Sequence, residues 1–105
     1  MSRSERESGA PPSGKVAVVR TFVIRNKKGL HARAAAKFVQ TVEKFGAEVR
    51  VTRGGETVGG TSIMGLLMLA ASPGTSITVA ATGNEAAEVI DALSTLIAGR
   101  FGEDD

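Results

Sequence analysis

Two kinds of apolar spacing alternate along most of this chain, and their order constrains the fold more than any other feature of the sequence. Runs rich in β-branched residues predict strands, whereas apolar side chains spaced three and four positions apart predict one-sided helices. In chain order the predicted segments are a strand at 16–25, a helix from Ala32 that Gly46 ends, strands at 48–53 and 56–59 joined by the Gly54-Gly55 turn, a helix at 63–70, a strand at 76–81 and a helix that Asn84 caps.

This order predicts an α+β fold with the topology βαββαβα, an open-faced sandwich in which a four-stranded antiparallel sheet carries three helices on one face. A chain of 105 residues has room for one domain. We expect residues 1–15, which are polar and contain Pro11-Pro12, to form a disordered tail. Residues 16–101 should form the domain, and the acidic residues 102–105 should fray at its end.

The composition argues against several classes of function. Cysteine is absent, which excludes disulfides and thiolate chemistry and fits a cytoplasmic protein. No apolar run approaches the roughly 20 residues that span a bilayer, and the tail carries no secretion signal. A net charge of only +2, with four Phe and no Trp or Tyr, is atypical of a nucleic-acid surface. We therefore expect neither nucleic acid nor a membrane as a partner.

His31 is the only histidine, and it lies directly before the helix predicted to start at Ala32. The first backbone N–H groups of a helix lack carbonyl partners and, together with the helix dipole, attract anions. An imidazole can carry a phosphoryl group, and Arg33 is near enough in sequence to bind the phosphate oxygens. Alternatively, His31 is only a polar residue at a helix start. A metal site or acid–base pair is disfavoured, because the carboxylate nearest in sequence is Glu43.

The segment 61–69 is apolar around most of its predicted helix. We expect four residues to face the core (Ile63, Leu66, Leu69 and Ala70) and three to lie around the rest (Met64, Leu67 and Met68). An exposed apolar surface that contains methionines suits docking to several proteins, although a larger core would bury the same residues. Ser62 is the expected N-cap, and its hydroxyl is also a candidate phosphate acceptor.

Two motifs in register resemble a known family. The segment Gly29-Leu30-His31-Ala32-Arg33-Ala34-Ala35 resembles the active-site motif of HPr, the histidine-containing phosphocarrier of the phosphoenolpyruvate-dependent sugar phosphotransferase system. The segment Thr61-Ser62-Ile63-Met64-Gly65-Leu66 resembles the regulatory-serine segment of that family. The spacing of the motifs and the order of the elements also agree, and the resemblance covers about residues 18–99.

The resemblance implies a role for each motif. His31 would receive a phosphoryl group on Nδ1 from phospho-enzyme I and deliver it to an enzyme IIA domain, such as a mannose-type one, while Arg33 neutralises the phosphate. The implied docking surface consists of Ala32, Arg33, Ala36, Ile63, Met64 and Leu67. Ser62 would be the position that an HPr kinase/phosphorylase modifies in some bacteria. Such a protein is a stoichiometric carrier and not an enzyme, has no cofactor or metal, and meets its partners transiently as a monomer.

One residue departs from the family pattern, which usually has proline where this chain has Ala34. Alanine keeps the helix and adds one backbone N–H group to the anion site, so transfer should survive while the lifetime of the phosphohistidine changes. Two alternatives stay open: a regulatory binding module that acts through Ser62 and the apolar helix, and a carrier of the nitrogen-related branch of the system. The tail before the first strand has no counterpart in the usual family pattern.

Overall fold

The computed structural model describes residues 17–103, which contain a four-stranded antiparallel sheet. The strands are β1 (Val18–Val23), β2 (Glu48–Arg53), β3 (Glu56–Gly59) and β4 (Ser76–Thr82), in the spatial order β1-β4-β2-β3. Val23 at the end of β1 lies opposite Ser76 at the start of β4. The loop that follows β1 and the loop that precedes β4 therefore meet at the same end of the sheet.

Three helices cover one face of the sheet. They are α1 (Ala32–Val42), α2 (Ile63–Met68) and α3 (Ala86–Ala98), and a 3₁₀ turn at Arg100–Gly102 follows them. Their buried stripes and the inward residues of the strands enclose one core, whose largest fully buried apolar side chains are Phe38, Phe101, Ile24, Leu66, Ile77, Ile90, Leu93, Val51, Val79 and Val89. This confirms the predicted α+β sandwich. Within residues 17–103, no helix is both long and apolar enough to cross a membrane.

Backbone hydrogen bonds tie together the two loops at the end of the sheet. The Ile24 N–H donates to the Thr75 carbonyl at 2.9 Å, and the Leu30 N–H donates to the Ala71 carbonyl at 2.9 Å. Gly29 has φ +67°, and a Cβ atom at this position would lie 2.6 Å from the Ala71 oxygen. A side chain is therefore excluded there both by the left-handed backbone and by lack of space. These contacts hold the chain in place immediately before α1.

Several element boundaries differ from those predicted. Helix α2 ends two residues earlier than expected, because Ala70 adopts a left-handed conformation with φ +51°. Helix α3 is capped at Glu85 rather than Asn84, without a side-chain bond to its own first turn. The Glu85 carboxylate instead accepts a hydrogen bond from the Gly46 N–H group at 2.6 Å. Strand β1 begins at Val18 and ends at Val23, and residue 16 lies outside the described range.

Two residues of the segment that is expected to fray belong to the described structure, where Gly102 ends the 3₁₀ turn and Glu103 is its C-cap. Phe101 is 1% exposed, and Lys37 Nζ donates to its carbonyl at 2.5 Å. Burying a phenylalanine side chain stabilises a structure by about 1.5–3 kcal/mol, which offsets the entropy lost when the turn is ordered. The side chain of Glu103 is in turn hydrogen-bonded within the domain. Residues 104–105, and the tail predicted at 1–15, lie outside the described residues.

Candidate functional site

The N-terminus of α1 presents backbone donors that no side chain caps. His31 occupies the N-cap position with extended backbone angles, φ −82° and ψ −178°, and makes no side-chain cap bond. The first intrahelical bond runs from the Ala35 N–H group to the His31 carbonyl at 2.8 Å. The N–H groups of Ala32, Arg33 and Ala34 therefore lack carbonyl partners within the helix. N–H groups of this kind, together with the helix dipole, can bind an anion.

The imidazole ring is held from its other side. His31 Nε2 lies 2.5 Å from Glu103 Oε2, and the two side chains are 27% and 16% exposed. A carboxylate can only accept a hydrogen bond, so Nε2 is the ring nitrogen that carries the proton. Nδ1 of a neutral ring then holds the free lone pair. The contact thus assigns different roles to the two nitrogens.

Glu103 is itself held by Asn26, which sequence reasoning did not identify. Asn26 is fully buried, and its Nδ2 donates to Glu103 Oε1 at 3.1 Å and to the Gly29 carbonyl at 2.7 Å. The hydrogen bond from His31 lowers the pKa of Glu103 from its ordinary value; burial opposes this shift, and Asn26 and the charge of Lys28 add to the lowering. Glu103 is therefore an ionised partner at neutral pH.

Asn26 keeps its place at an energetic cost. Its Oδ1 is buried and has no hydrogen-bond partner among residues 17–103. An unpaired buried oxygen typically lowers the stability of a protein by about 1–3 kcal/mol. Stability alone therefore does not explain an asparagine at this position. The benefit lies in the two bonds made by Nδ2, which fix the loop before α1 and the carboxylate of Glu103.

A strained turn aims Glu103 at the ring. Arg100 and Phe101 both adopt left-handed backbone angles, with φ of 57° and 55°. Such angles cost roughly 1–2 kcal/mol per residue outside glycine. Burial of the Phe101 ring and the hydrogen bond from Lys37 Nζ to the Phe101 carbonyl offset that cost. The acid lies 72 positions from His31 in sequence, so the proximity of Glu43 in sequence gave the wrong expectation. A phenylalanine in an otherwise polar C-terminal segment was the available signal.

Arg33 lies in the first turn of α1, next to His31, as the sequence predicts. Its side chain is exposed, and within residues 17–103 it makes no hydrogen bond or ion pair. No polar contact within residues 17–103 therefore fixes the position of its guanidinium group. Groups of three or more metal-ligating side chains are also absent from the described residues.

The second predicted segment exposes apolar side chains, as docking requires. Met64, Met68 and Ile63 are 69%, 67% and 41% exposed, which contradicts the expected core position of Ile63 and the alternative that a larger core buries the methionines. Leu66 and Leu69 are buried as expected, and Leu67 is half-buried. Helix α2 packs against α1, whose Ala32 is exposed and whose Ala36 is half-buried. Ala70, expected in the core, is exposed.

Ser62 is the N-cap of α2, as predicted. Its hydroxyl oxygen accepts a hydrogen bond from the Gly65 N–H group at 3.0 Å. The residue is exposed, and it directly precedes the exposed apolar side chains of Ile63 and Met64. Ser62 therefore has a structural role that explains a hydroxyl at this position without any modification.

Comparison with known proteins identifies the family. The family model for the PTS HPr component phosphorylation site matches residues 18–99. Phosphocarrier protein HPr of Neisseria meningitidis is 54% identical over 80 residues, which cover 76% of this chain and 90% of the relative. Phosphocarrier protein NPr of Shewanella violacea is 38% identical over 84 residues, which cover 80% of this chain and 92% of the relative. The crystal structure of HPr-C-His from Thermoanaerobacter tengcongensis superimposes with a TM-score of 0.80 at 42% identity, covering 84% of this chain and 99% of the other. Histidine at an open helix start, this fold and these relatives together place the chain in the HPr family of phosphocarriers of the phosphotransferase system.

Proposed function

We propose that this carrier accepts a phosphoryl group from phospho-enzyme I on Nδ1 of His31 and transfers it to an enzyme IIA domain. The observation that carries the proposal is that only one of the two ring nitrogens of His31 is bonded to Glu103. Nε2 is bonded to Glu103, which leaves the lone pair on Nδ1, and His31 directly precedes the three N–H groups of α1 that have no partner within the helix. A nucleophile adjoins an anion site, which is what a transferred phosphoryl group requires.

Electrostatics support the same assignment. A phosphoryl group on Nδ1 carries nearly two negative charges, and the backbone donors of Ala32, Arg33 and Ala34 lie at the positive end of the helix dipole. The exposed Arg33 guanidinium has no competing partner within residues 17–103, so it is free to pair with the phosphate oxygens. The carrier needs no cofactor or metal for this step, since the ring itself is the acceptor.

The docking surface in this proposal joins the two segments. It consists of Ala32, Arg33, Ala36, Ile63, Met64 and Leu67. A carrier must bind a donor and an acceptor in turn, and flexible methionine side chains on an exposed helix adapt to different partners. In this proposal the protein acts in the cytoplasm as a monomer that binds its partners transiently.

Regulation through Ser62 is a second candidate function. Ser62 is exposed and stands at the edge of the docking surface, next to Ile63 and Met64. Phosphorylation by an HPr kinase/phosphorylase would place a dianion beside apolar side chains that must be desolvated on docking, and would weaken binding to enzyme I. A purely regulatory module would depend on this residue and not on His31.

The branch of the system that the carrier serves depends on which partner enzymes it meets. We favour the sugar branch over the nitrogen-related branch, because identity is 54% to the relative named HPr and 38% to the relative named NPr. Comparing phosphoryl transfer from the enzyme I proteins of both branches would distinguish them. Equal rates with both donors would remove this preference.

The test is phosphoryl transfer from labelled phosphoenolpyruvate with enzyme I present. Wild type should acquire an acid-labile label, His31→Ala should acquire none, and the Ser62→Ala control should still be labelled. Chasing labelled wild type with a purified enzyme IIA should then move the label. Equal labelling of His31→Ala and wild type would contradict the proposal. If Ser62→Ala loses a regulatory effect that His31→Ala keeps, the regulatory module is favoured instead.

A further inference from the structure

The contact between Glu103 and His31 leads to an inference that rests on the proposed function and extends it. We propose that Glu103 is a positioning residue that holds His31 in the tautomer protonated on Nε2 and acts as the counter-ion of the ring once Nδ1 is phosphorylated. Glu103 lies beyond the segment that matches the family, which ends at residue 99. The turn at Arg100–Gly102 places Glu103 beside the ring.

Three separate contacts fix the position of Glu103, so its approach to the ring is built into the fold. Phe101 inserts into the core two residues earlier, and Lys37 of α1 donates to the Phe101 carbonyl. Asn26 holds the second carboxylate oxygen while the first meets His31 Nε2. An exposed acid on a loose chain end would have none of these restraints.

The transfer step balances without any proton leaving the ring. The Nδ1 lone pair forms the N–P bond as the bond between phosphorus and the donor breaks, and the electrons of that bond leave with the donor atom. The ring, which already carries a proton on Nε2, becomes cationic. Glu103 is then an anion in direct contact with the new positive charge. In the reverse step, the same proton lets the ring depart as a neutral imidazole.

Several positively charged residues lie on the segments of the described chain that surround the pair. The charge of Lys28, in the loop before α1, contributes to the lowered pKa of Glu103. Lys37 on α1 is bonded to the Phe101 carbonyl, and Arg33 lies in the first turn of α1. Arg100 belongs to the turn that leads to Glu103. Glu103 is the carboxylate that bonds the ring among the described residues, so removing its charge should act directly on the ring cation.

Two variants separate charge from position. Glu103→Gln keeps an oxygen that accepts from Nε2 but removes the charge, whereas Glu103→Ala removes both. Glu43→Gln, an exposed residue at the far end of α1, is the control with the same charge change. The measurements are the rate of phosphorylation by enzyme I, the pH dependence of phosphohistidine hydrolysis, and the ¹⁵N chemical shifts of the unphosphorylated ring.

In Glu103→Gln, phosphorylation should slow about tenfold, and the inflection of the hydrolysis profile should move about one pH unit lower. Glu103→Ala should show both effects and a larger fraction of ring protonated on Nδ1, while Glu43→Gln should match wild type. Wild-type ring shifts and a wild-type inflection in both variants would overturn the proposal and leave the contact purely structural. The ring shifts are read without phosphate, so they test Glu103 even if His31 proves not to be the acceptor.

Discussion

Helices α1 and α2 begin in opposite ways, although each follows a loop and each has a polar N-cap residue. Ser62 uses its hydroxyl to cap its own helix through the Gly65 N–H group. His31 makes no such bond, because its ring is bonded to Glu103 from the C-terminal turn. The first-turn amides of α1 are consequently open to an anion. Because the His31 ring is bonded to Glu103 and does not cap the helix, the start of α1 is a candidate phosphate site.

The two helices also differ in how they are held. The start of α1 is fixed by Gly29, by the loop before β4 and by the turn that contains Phe101. Helix α2 has only six residues, and Met64 and Met68 extend from it into solvent. In the proposed function, the first region supplies fixed geometry for phosphoryl transfer and the second supplies an adaptable surface for docking.

The difference between the two helix starts should disappear when α1 receives the same N-cap residue as α2, in the variant His31→Ser. We expect His31→Ser to slow acid-labile phosphorylation by about 10³-fold or more, since the nucleophilic nitrogen is lost. The new hydroxyl should cap the open amides, so His31→Ser should be about 1 kcal/mol more stable than His31→Ala in chemical denaturation. Equal stability of the two variants would mean that the first-turn donors are not accessible to an anion.

The difference in rigidity predicts unequal effects of truncating apolar side chains. Phe101→Ala should lower the free energy of unfolding by about 3–5 kcal/mol, because it empties a core position. Met64→Ala, on the exposed face of α2, should change it by less than about 0.5 kcal/mol. Chemical denaturation of both variants tests this, and a loss below about 1 kcal/mol in Phe101→Ala would show that the turn is not anchored.

Removing the cap of α2 should have a smaller effect. Ser62→Ala should cost about 1 kcal/mol of unfolding free energy, because the Gly65 N–H group loses its acceptor. Thr61→Ala is the matched control at the neighbouring exposed position and should stay within about 0.5 kcal/mol of wild type. A Ser62→Ala variant as stable as the control would refute the local capping role.

The contribution of the contact between His31 and Glu103 to stability should depend on pH. The pKa of Glu103 is lowered in the folded state, chiefly by the hydrogen bond from His31. Its contribution to stability is therefore present above the ordinary glutamate value of about 4.3 and is lost as pH falls through the lower folded value. Wild type should lose more stability than Glu103→Gln between neutral pH and about pH 3. Parallel stability curves for the two proteins would show that the pair adds nothing to the fold.

The smallest expected effect concerns the number of open donors. Ala34→Pro removes one N–H group from the first turn of α1, worth about 0.3–1 kcal/mol toward an anion. The equilibrium of phosphoryl exchange with enzyme I should move toward the donor by about two- to fivefold. Ala34→Gly keeps the N–H group and serves as the control. An unchanged equilibrium in Ala34→Pro would show that this donor does not contact the phosphate.

Local patterns in the sequence predicted most of the fold, because strand alternation, helix stripes and the Ser62 cap depend on neighbouring residues. The same reasoning correctly placed His31 at the start of α1. It could not find Glu103, since an acid near the chain end has the composition of a solvated tail and its partner lies 72 positions away. Nor could it foresee that Ile63 and Ala70 face outward, because α2 is too short for its spacing to define a face.

The site of attachment tests the central claim most directly. Wild type with ¹⁵N-labelled histidine, phosphorylated by enzyme I and phosphoenolpyruvate, should show coupling between phosphorus and Nδ1 of His31, with the proton retained on Nε2. Attachment at Nε2 would contradict the account, because Nε2 is the nitrogen that is hydrogen-bonded to Glu103. Attachment to any other residue would contradict it as well.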